Sequence, residues 1–299
     1  MHPRRRGYSR KNTEIALEER VTVCIAAECW HEKKAAIVLC CDWQGTKEGF
    51  VKSDYVDKIR WVDTATVMIA GGLSEADELV NSCTPAIHLF ARKNNSDTFD
   101  LDINGYLEAI RSAAAERKAA RVRHHIAMSL GIDADEFWKH GKDYLSAAQH
   151  DEVYNEIRGF DLGASLLLCS IASSGEPDDE GVIIRLGSNG HVSWEPSFST
   201  IGSGGPIAEA FLHQYDFDQE IGLMECLYRV FSAKVAAEKN PQVGETTSFE
   251  ILMGRHRYDV SDEGFKYLKQ KVMGRRKPKL EFKQEFVQLE GDETKKDQL

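Results

Sequence analysis

The chain has 299 residues, with 38 lysines and arginines against 48 aspartates and glutamates, and a formal net charge of −10. A chain of this length can bury a sizeable core in one large domain or two smaller ones, and 42% hydrophobic residues exclude disorder throughout. The negative charge repels phosphate backbones, so we expect no nucleic-acid partner. Every apolar run is far shorter than the roughly 20 residues that span a bilayer, so we expect no membrane partner.

The N-terminal segment opens with a run of three arginines and lacks the apolar stretch of a secretory signal. The seven cysteines are odd in number and lie mostly in apolar segments, where a reduced thiol acts as a small hydrophobe. His124 and His125 do not have metal-ligand spacing, because adjacent helix positions point about 100° apart. We therefore expect a cytoplasmic protein that uses neither a metal nor another cofactor.

Short apolar segments in the first half of the chain predict two strand pairs followed by helices. The strand segments are Val21 to Ala27, Ala35 to Cys41, Phe50 to Val62 and Thr66 to Ile69. The first two predict a β-hairpin with a long polar turn. Gly71 and Gly72 end the fourth strand and open a helix, which Pro85 is predicted to kink or break. A long helix is predicted over Asp102 to Leu130.

The second half begins with a polar insertion, at about 117–160, whose aromatic residues recur at helical spacing. Three strands, two helices, a fourth strand and a last helix are predicted after it. They are Gly163 to Ala172, Val182 to Leu186, Gly190 to Trp194, helices near Pro206 and Met224, Thr247 to Met253, and a helix near Ser261. Strand pairs separated by paired helices favour two antiparallel sheets between helix layers over a parallel sheet of βαβ units.

Lys58 lies in the segment Val56-Asp57-Lys58-Ile59 of a predicted strand, between a valine and an isoleucine, where an unpaired ammonium would be costly. Asp42, at the end of the second strand, is the natural carboxylate partner. Taken alone, these two residues are typical of an ordinary salt bridge.

Five motifs in order along the chain resemble the proteasome family, which includes the proteasome β subunits and the peptidase subunit of the bacterial ATP-dependent two-component protease. They are Thr22-Val23-Cys24-Ile25-Ala26, Asp42-x-Gln44-x-Thr46, the interval from Thr46 to Lys58, Ala70-Gly71-Gly72, and Ile201-Gly202-Ser203-Gly204-Gly205-Pro206. No single motif is specific, but the five together, at nearly the right spacing, are far more so. The resemblance covers roughly residues 22–271.

This resemblance implies an α+β fold, the four-layer αββα sandwich of the N-terminal-nucleophile hydrolases. Thr22 would be the nucleophile, with its own freed α-amine as the base. Lys58, held charged by Asp42, would favour the ionised hydroxyl through its positive field. The Gly71 N–H would stabilise the oxyanion, and Ser203 would orient the amine.

The resemblance also divides the chain into a leader (1–21), the hydrolase domain (22–273) and a charged tail (274–299). Val21 stands where the family has glycine, and Asn240 stands nearest to the position of a supporting aspartate, with Gln242 or Val243 nearest to a supporting serine. A two-residue slip of the first strand would put Arg20 at the nucleophile position and leave the faces of the strand unchanged.

The resemblance therefore predicts a threonine-type peptidase that hydrolyses peptide bonds within an oligomeric assembly. Its expected partners are a peptide or unfolded-protein substrate, further copies of this chain and an ATPase. Two alternatives stay open: a catalytically silent structural subunit of the same fold, and an amidohydrolase that acts on a small amide.

Overall fold

The computed structural model of the protein describes residues 22–43, 45–47, 51–53, 57–94, 102–172, 179–241, 243–254, 256–274, 280 and 282–289. The predicted leader, with Arg20 and Val21, lies outside the described residues, as do Gln44 and Gln242.

Strands and helices alternate in blocks along the described part of the chain. The strands are β1 (Cys24–His31), β2 (Lys34–Asp42), β3 (Gly45–Lys47), β4 (Val51–Ser53), β5 (Ile59–Val62), β6 (Ala65–Gly71), β7 (Ala164–Ala172), β8 (Glu180–Leu186), β9 (Val192–Trp194), β10 (Phe198–Ile201), β11 (Thr247–Met253), β12 (His256–Val260) and β13 (Val287–Leu289). The helices are α1 (Leu73–Asn94), α2 (Ile103–Leu130), α3 (Ala134–Tyr144), α4 (Ala147–Arg158), α5 (Gly205–Gln214), α6 (Leu223–Ala237) and α7 (Asp262–Val272).

Two antiparallel sheets contain most of the strands, as predicted. The first sheet has the order β10-β1-β2-β11-β12-β13, and the second has the order β5-β6-β7-β8-β9. A separate pair is formed by β3 and β4. In the first sheet Cys24 pairs with Cys41 on one side and with Ile201 on the other, which fixes the register of β1.

The first hairpin has a short turn at Glu32 and Lys33, both at positive φ, so the prediction of a long polar turn is wrong. The strand β1 continues through Glu28, whose side chain is buried. Its carboxylate accepts a hydrogen bond of 2.7 Å from the Gly181 N–H of the second sheet. A partner far along the chain therefore makes this polar residue compatible with a buried strand.

Three clusters of buried apolar side chains hold the sheets and helices together. One cluster joins the two sheets and includes Ala26, Leu39, Met68 and Leu167. A second joins the first sheet to α5, α6 and α7, and a third joins the second sheet to α1 and α2. Burial of this apolar surface is the main term that favours the folded state.

Helix α1 runs unbroken through Pro85, so the predicted break does not occur. Buried residues on both sides of the proline, among them Cys83, Ile87 and Phe90, pack into the third cluster, and this packing holds the helix together. Among the described residues, no helix combines the length and the apolar character needed to cross a membrane.

Residues 282–289 fall within the range predicted as a charged tail, yet part of this segment packs onto the domain. Phe286 and Val287 are buried in the second cluster, and β13 pairs with β12. In the predicted insertion, α3 and α4 form a small cluster of their own with the end of α2, around Phe137 and Ile126.

Candidate active site

Four of the five predicted site residues lie in one hydrogen-bonded cluster. Thr22 lies two residues before β1, Asp42 ends β2, Lys58 immediately precedes β5, and Ser203 lies in the turn between β10 and α5. Thr22, Asp42 and Lys58 are buried, with 2%, 0% and 5% of their surface exposed. The cluster thus draws on both sheets and on the turn that follows β10.

The Asp42 carboxylate is the centre of the cluster. Its Oδ1 accepts hydrogen bonds from Thr22 Oγ1 at 2.9 Å, from the Val23 N–H at 2.9 Å and from Lys58 Nζ at 2.8 Å. Its Oδ2 accepts a hydrogen bond from the Gly244 N–H at 3.2 Å. Four donors compensate this carboxylate for the water that it loses on burial.

The Lys58 ammonium lies between the carboxylate and the hydroxyl, because it donates to both Asp42 Oδ1 and Thr22 Oγ1. Lys58 was predicted within a strand but lies one residue before β5, where its carbonyl accepts the Ile69 N–H at 2.9 Å. That bond anchors the lysine backbone to β6. A positive charge beside a hydroxyl favours loss of the hydroxyl proton.

The turn from Ile201 to Gly205 holds the backbone of Thr22. The Thr22 N–H donates to Ser203 Oγ at 3.3 Å, and the Gly204 N–H donates to the Thr22 carbonyl oxygen at 3.0 Å. Gly202 has φ +88°, and a Cβ there would overlap the Thr22 carbonyl oxygen. The close approach therefore requires glycine at 202.

Ser203 does not act as the N-cap of α5, since that position is occupied by Gly204 and carries no side-chain cap. The hydroxyl of Ser203 is instead used to accept the Thr22 N–H.

Gly71 ends β6 at φ +108°, and a Cβ there would lie 2.5 Å from the Gly163 carbonyl oxygen. Two residues earlier, the Ile69 N–H donates to the Lys58 carbonyl oxygen, and the Ile69 carbonyl oxygen accepts a hydrogen bond from Cys24 Sγ at 3.3 Å. Gly71 thus ends the strand that anchors Lys58. The backbone of Gly71 itself packs closely against Gly163. Its role at an oxyanion stays a prediction.

Sequence reasoning missed the contact that Gly244 makes with Asp42. In the segment between α6 and β11, the family resemblance points to Asn240, the nearest match to an aspartate, and not to Gly244. In the structure the Asn240 amide donates to the Ser203 carbonyl oxygen at 3.4 Å, next to the turn that holds Thr22. The sequence offered one signal for this contact, a glycine at 244 shortly before a predicted strand.

Glu28 is a second buried carboxyl, outside this cluster. Burial raises the pKa of Glu28 to about 7, the charge of Glu180 adds to the rise, and the Gly181 N–H opposes it. Because the folded-state pKa lies above the ordinary value of 4.5, folding takes up a proton between pH 4.5 and about 7. The contribution of Glu28 to stability is therefore complete below pH 4.5 and is lost as pH rises through 7.

The cysteines near the site are buried and free, as predicted. Burial raises the pKa of the Cys40 thiol, and the Cys24 side chain with burial raises the pKa of the Cys41 thiol. These thiols stay protonated at neutral pH, so they are poor nucleophiles and poor metal ligands. Among the described residues, no three His, Cys, Asp or Glu side chains lie together in a way that could hold a metal ion.

No protein-family model matches the chain, and no curated protein matches it. A comparison with solved structures gives many matches. One of them is eukaryotic HslV from Trypanosoma brucei. The alignment of the two chains covers 77% of this chain and 99% of the HslV chain, with a TM-score of 0.45 and 17% sequence identity. The chemistry of the site is derived from the geometry of its own residues.

Proposed function

We propose that this protein is a proteasome-like threonine-type N-terminal-nucleophile peptidase, built as a four-layer αββα sandwich. One observation carries the proposal: the Lys58 ammonium contacts both Thr22 Oγ1 and Asp42 Oδ1, and all three residues are buried. A hydroxyl paired with a buried, carboxylate-bound ammonium is suited to nucleophilic attack.

The reaction requires cleavage of the chain before Thr22. In the intact chain the Thr22 nitrogen belongs to a peptide bond and donates its hydrogen to Ser203 Oγ at 3.3 Å. An amide nitrogen has no lone pair to offer as a base. Cleavage between Val21 and Thr22 would free an α-amine, with an unperturbed pKa of about 8, beside the same serine.

In the mature form the Thr22 oxygen forms a bond to the carbonyl carbon of the scissile peptide, and its proton passes to the α-amine. The C–N bond then breaks, the leaving amine takes a proton, and an ester links the substrate to Thr22. Water attacks the ester, and the second product leaves with Thr22 restored. Lys58 favours the oxygen nucleophile, and Ser203 orients the amine.

The Gly71 N–H is assigned to the oxyanion that forms during attack. A backbone donor in such a place contributes about 3–4 kcal/mol to the transition state. Asn240, an amide in place of a carboxylate, binds the Ser203 carbonyl oxygen without adding a charge.

The proposal includes assembly into a closed oligomer of this chain, a peptide or unfolded protein as substrate, an ATPase partner and a cytoplasmic location. Enclosure of a peptidase site in an oligomer would keep folded proteins away from it. The proposed domain organisation is a leader over 1–21, a hydrolase domain over 22–273 with an insertion at about 117–160, and the remaining residues after it.

The test is mass spectrometry of the purified protein, together with turnover of fluorogenic peptides. A chain that begins at Thr22 and cleaves peptides is expected. Thr22→Ala should keep residues 1–21 and lose turnover, whereas Thr66→Ala, which changes a buried threonine on β6, should be processed normally.

An intact wild-type chain without turnover would favour the silent structural subunit instead. Turnover of small acyl amides but not of peptides would favour the amidohydrolase. Cleavage of Thr22→Ala at the same bond would show that another protease removes the leader.

A further inference from the structure

Lys234 lies on α6 with none of its surface exposed, although lysine is rarely buried completely. Its ammonium pairs with the Glu238 carboxylate one helical turn further on. The same ammonium donates a hydrogen bond to the Glu245 carbonyl oxygen at 2.9 Å. Burial of this charge is tolerated because both partners are in place.

The Glu245 carbonyl belongs to the segment that joins α6 to β11, called here the 240–246 segment. This segment contacts the candidate active site at two points. The Gly244 N–H donates to Asp42 Oδ2 at 3.2 Å, and the Asn240 side chain donates to the Ser203 carbonyl oxygen at 3.4 Å. The segment therefore contacts residues that bind both the hydroxyl and the nitrogen of Thr22.

The carbonyl that Lys234 binds lies one residue beyond the N–H that reaches Asp42. Glycine at 244 has no Cβ to restrict its backbone, so its conformation must be fixed by neighbouring contacts. On one side the Asn240 carbonyl accepts the Val243 N–H at 2.9 Å. On the other side the Glu245 carbonyl oxygen accepts hydrogen bonds from Lys234 Nζ at 2.9 Å and from Thr247 Oγ1 at 3.2 Å. The lysine is the contact that ties this part of the segment to the helix.

We propose that Lys234 is a positioning residue for the reaction: it fixes the Glu245 carbonyl so that the Gly244 N–H reaches Asp42. The catalytic part of this inference rests on the proposed function. Lys234 touches neither Thr22 nor a reacting atom, and it acts through the backbone of the segment and the carboxylate.

The test compares Lys234→Met with Glu238→Gln. Lys234→Met removes the donor that links Glu245 to α6 and leaves the Thr247 hydroxyl on β11 in place, whereas Glu238→Gln removes the charge partner and leaves the Lys234 donor intact. Both variants disturb the same buried ion pair, so both are expected to lose stability. Only Lys234→Met should release the 240–246 segment.

Hydrogen exchange followed by mass spectrometry measures the protection of the backbone amides in this segment and does not require an active enzyme. In Lys234→Met the exchange of amides 243–247 should accelerate on the order of tenfold, the effect of losing about one hydrogen bond. In Glu238→Gln their exchange should stay within about twofold of the wild type. Unchanged protection in Lys234→Met would overturn the proposal.

Kinetics then test the link to catalysis. Lys234→Met should lower kcat by on the order of tenfold while KM changes by less than about threefold, because the substrate does not touch Lys234. Glu238→Gln should keep kcat within about twofold. An equal loss of kcat in both variants would reduce Lys234 to a structural residue.

If Lys234→Met alone does not fold, the double variant Lys234→Met/Glu238→Gln takes its place in the test. It carries no buried charge at the pair, so it should fold at least as well as Lys234→Met, and it still lacks the donor to Glu245. It should show the same rapid exchange and the same low kcat, and wild-type exchange in it would refute the proposal. If exchange behaves as expected but the wild type cleaves no peptide, the positioning contact stands and the proposed function fails.

Discussion

Asp42→Ala is the substitution that most directly tests the buried cluster. It removes the acceptor of four hydrogen bonds and leaves Lys58, a residue with 5% of its surface exposed, without its carboxylate partner. Removal of one partner of a buried pair costs about 3–5 kcal/mol in comparable cases. The free energy of unfolding of Asp42→Ala should fall by that amount.

A matched control is Asp77→Ala, which removes an aspartate from the exposed pair with Arg60 at 3.9 Å. Exposed pairs contribute about 0–1 kcal/mol, so this variant should differ little from the wild type. The double variant Asp42→Ala/Lys58→Met should recover a large part of the lost stability, because it no longer buries an unpaired charge.

Urea denaturation followed by tryptophan fluorescence gives these free energies, and mass spectrometry ensures that only chains with the same N-terminus are compared. If Asp42→Ala costs no more than Asp77→Ala, the pair is not buried as described. If the losses from Asp42→Ala and Lys58→Met simply add, the two side chains are not coupled.

Three further predictions follow from single contacts. Gly202→Ala should cost about 1–3 kcal/mol more unfolding free energy than Gly131→Ala, since both glycines have positive φ but only the Cβ at 202 meets Thr22, and equal losses in urea melts would contradict this. Glu28→Gln should abolish the loss of stability between pH 4.5 and about 7 and stabilise the protein at pH 8 by on the order of 2–3 kcal/mol, which denaturation at several pH values would check. Ser203→Ala should lower kcat on peptides about tenfold, because the Thr22 nitrogen loses its partner, and an unchanged kcat would remove Ser203 from the site.

Local patterns in the sequence were sufficient to predict the two antiparallel sheets. Adjacent apolar segments predict hairpins, and the β1–β2 and β5–β6 pairs are of this kind. The strand predicted over Phe50 to Val62 is wrong in its extent, because β5 covers only Ile59–Val62 and Val51–Ser53 pairs with β3 instead. The ordered motifs named Thr22, Asp42, Lys58 and Ser203 as candidates, and the structure joins these four residues by hydrogen bonds, of which the one to Ser203 comes from the backbone nitrogen of Thr22. Their catalytic roles stay predictions.

Features that depend on distant parts of the chain could not be predicted in this way. The short strand β10 pairs with β1, far from it in sequence, and β13 lies within a charged segment whose few apolar residues pack onto the core. The sequence predicts Glu28 in a polar turn, whereas in the structure Glu28 lies on β1 and its carboxylate accepts the Gly181 N–H of the other sheet. Hydrophobic periodicity is a local signal, so the sequence of one segment does not show which distant segment it pairs with.

The strand β1 lies in the interior of its sheet, between β10 and β2. Chain ends usually fray, because the first residues of a domain have few neighbours. A chain cut before Thr22 would instead begin two residues ahead of a strand that is hydrogen-bonded along both edges. Its new terminus would resist fraying, and the hydroxyl and amine of its first residue would keep one fixed geometry through each turnover.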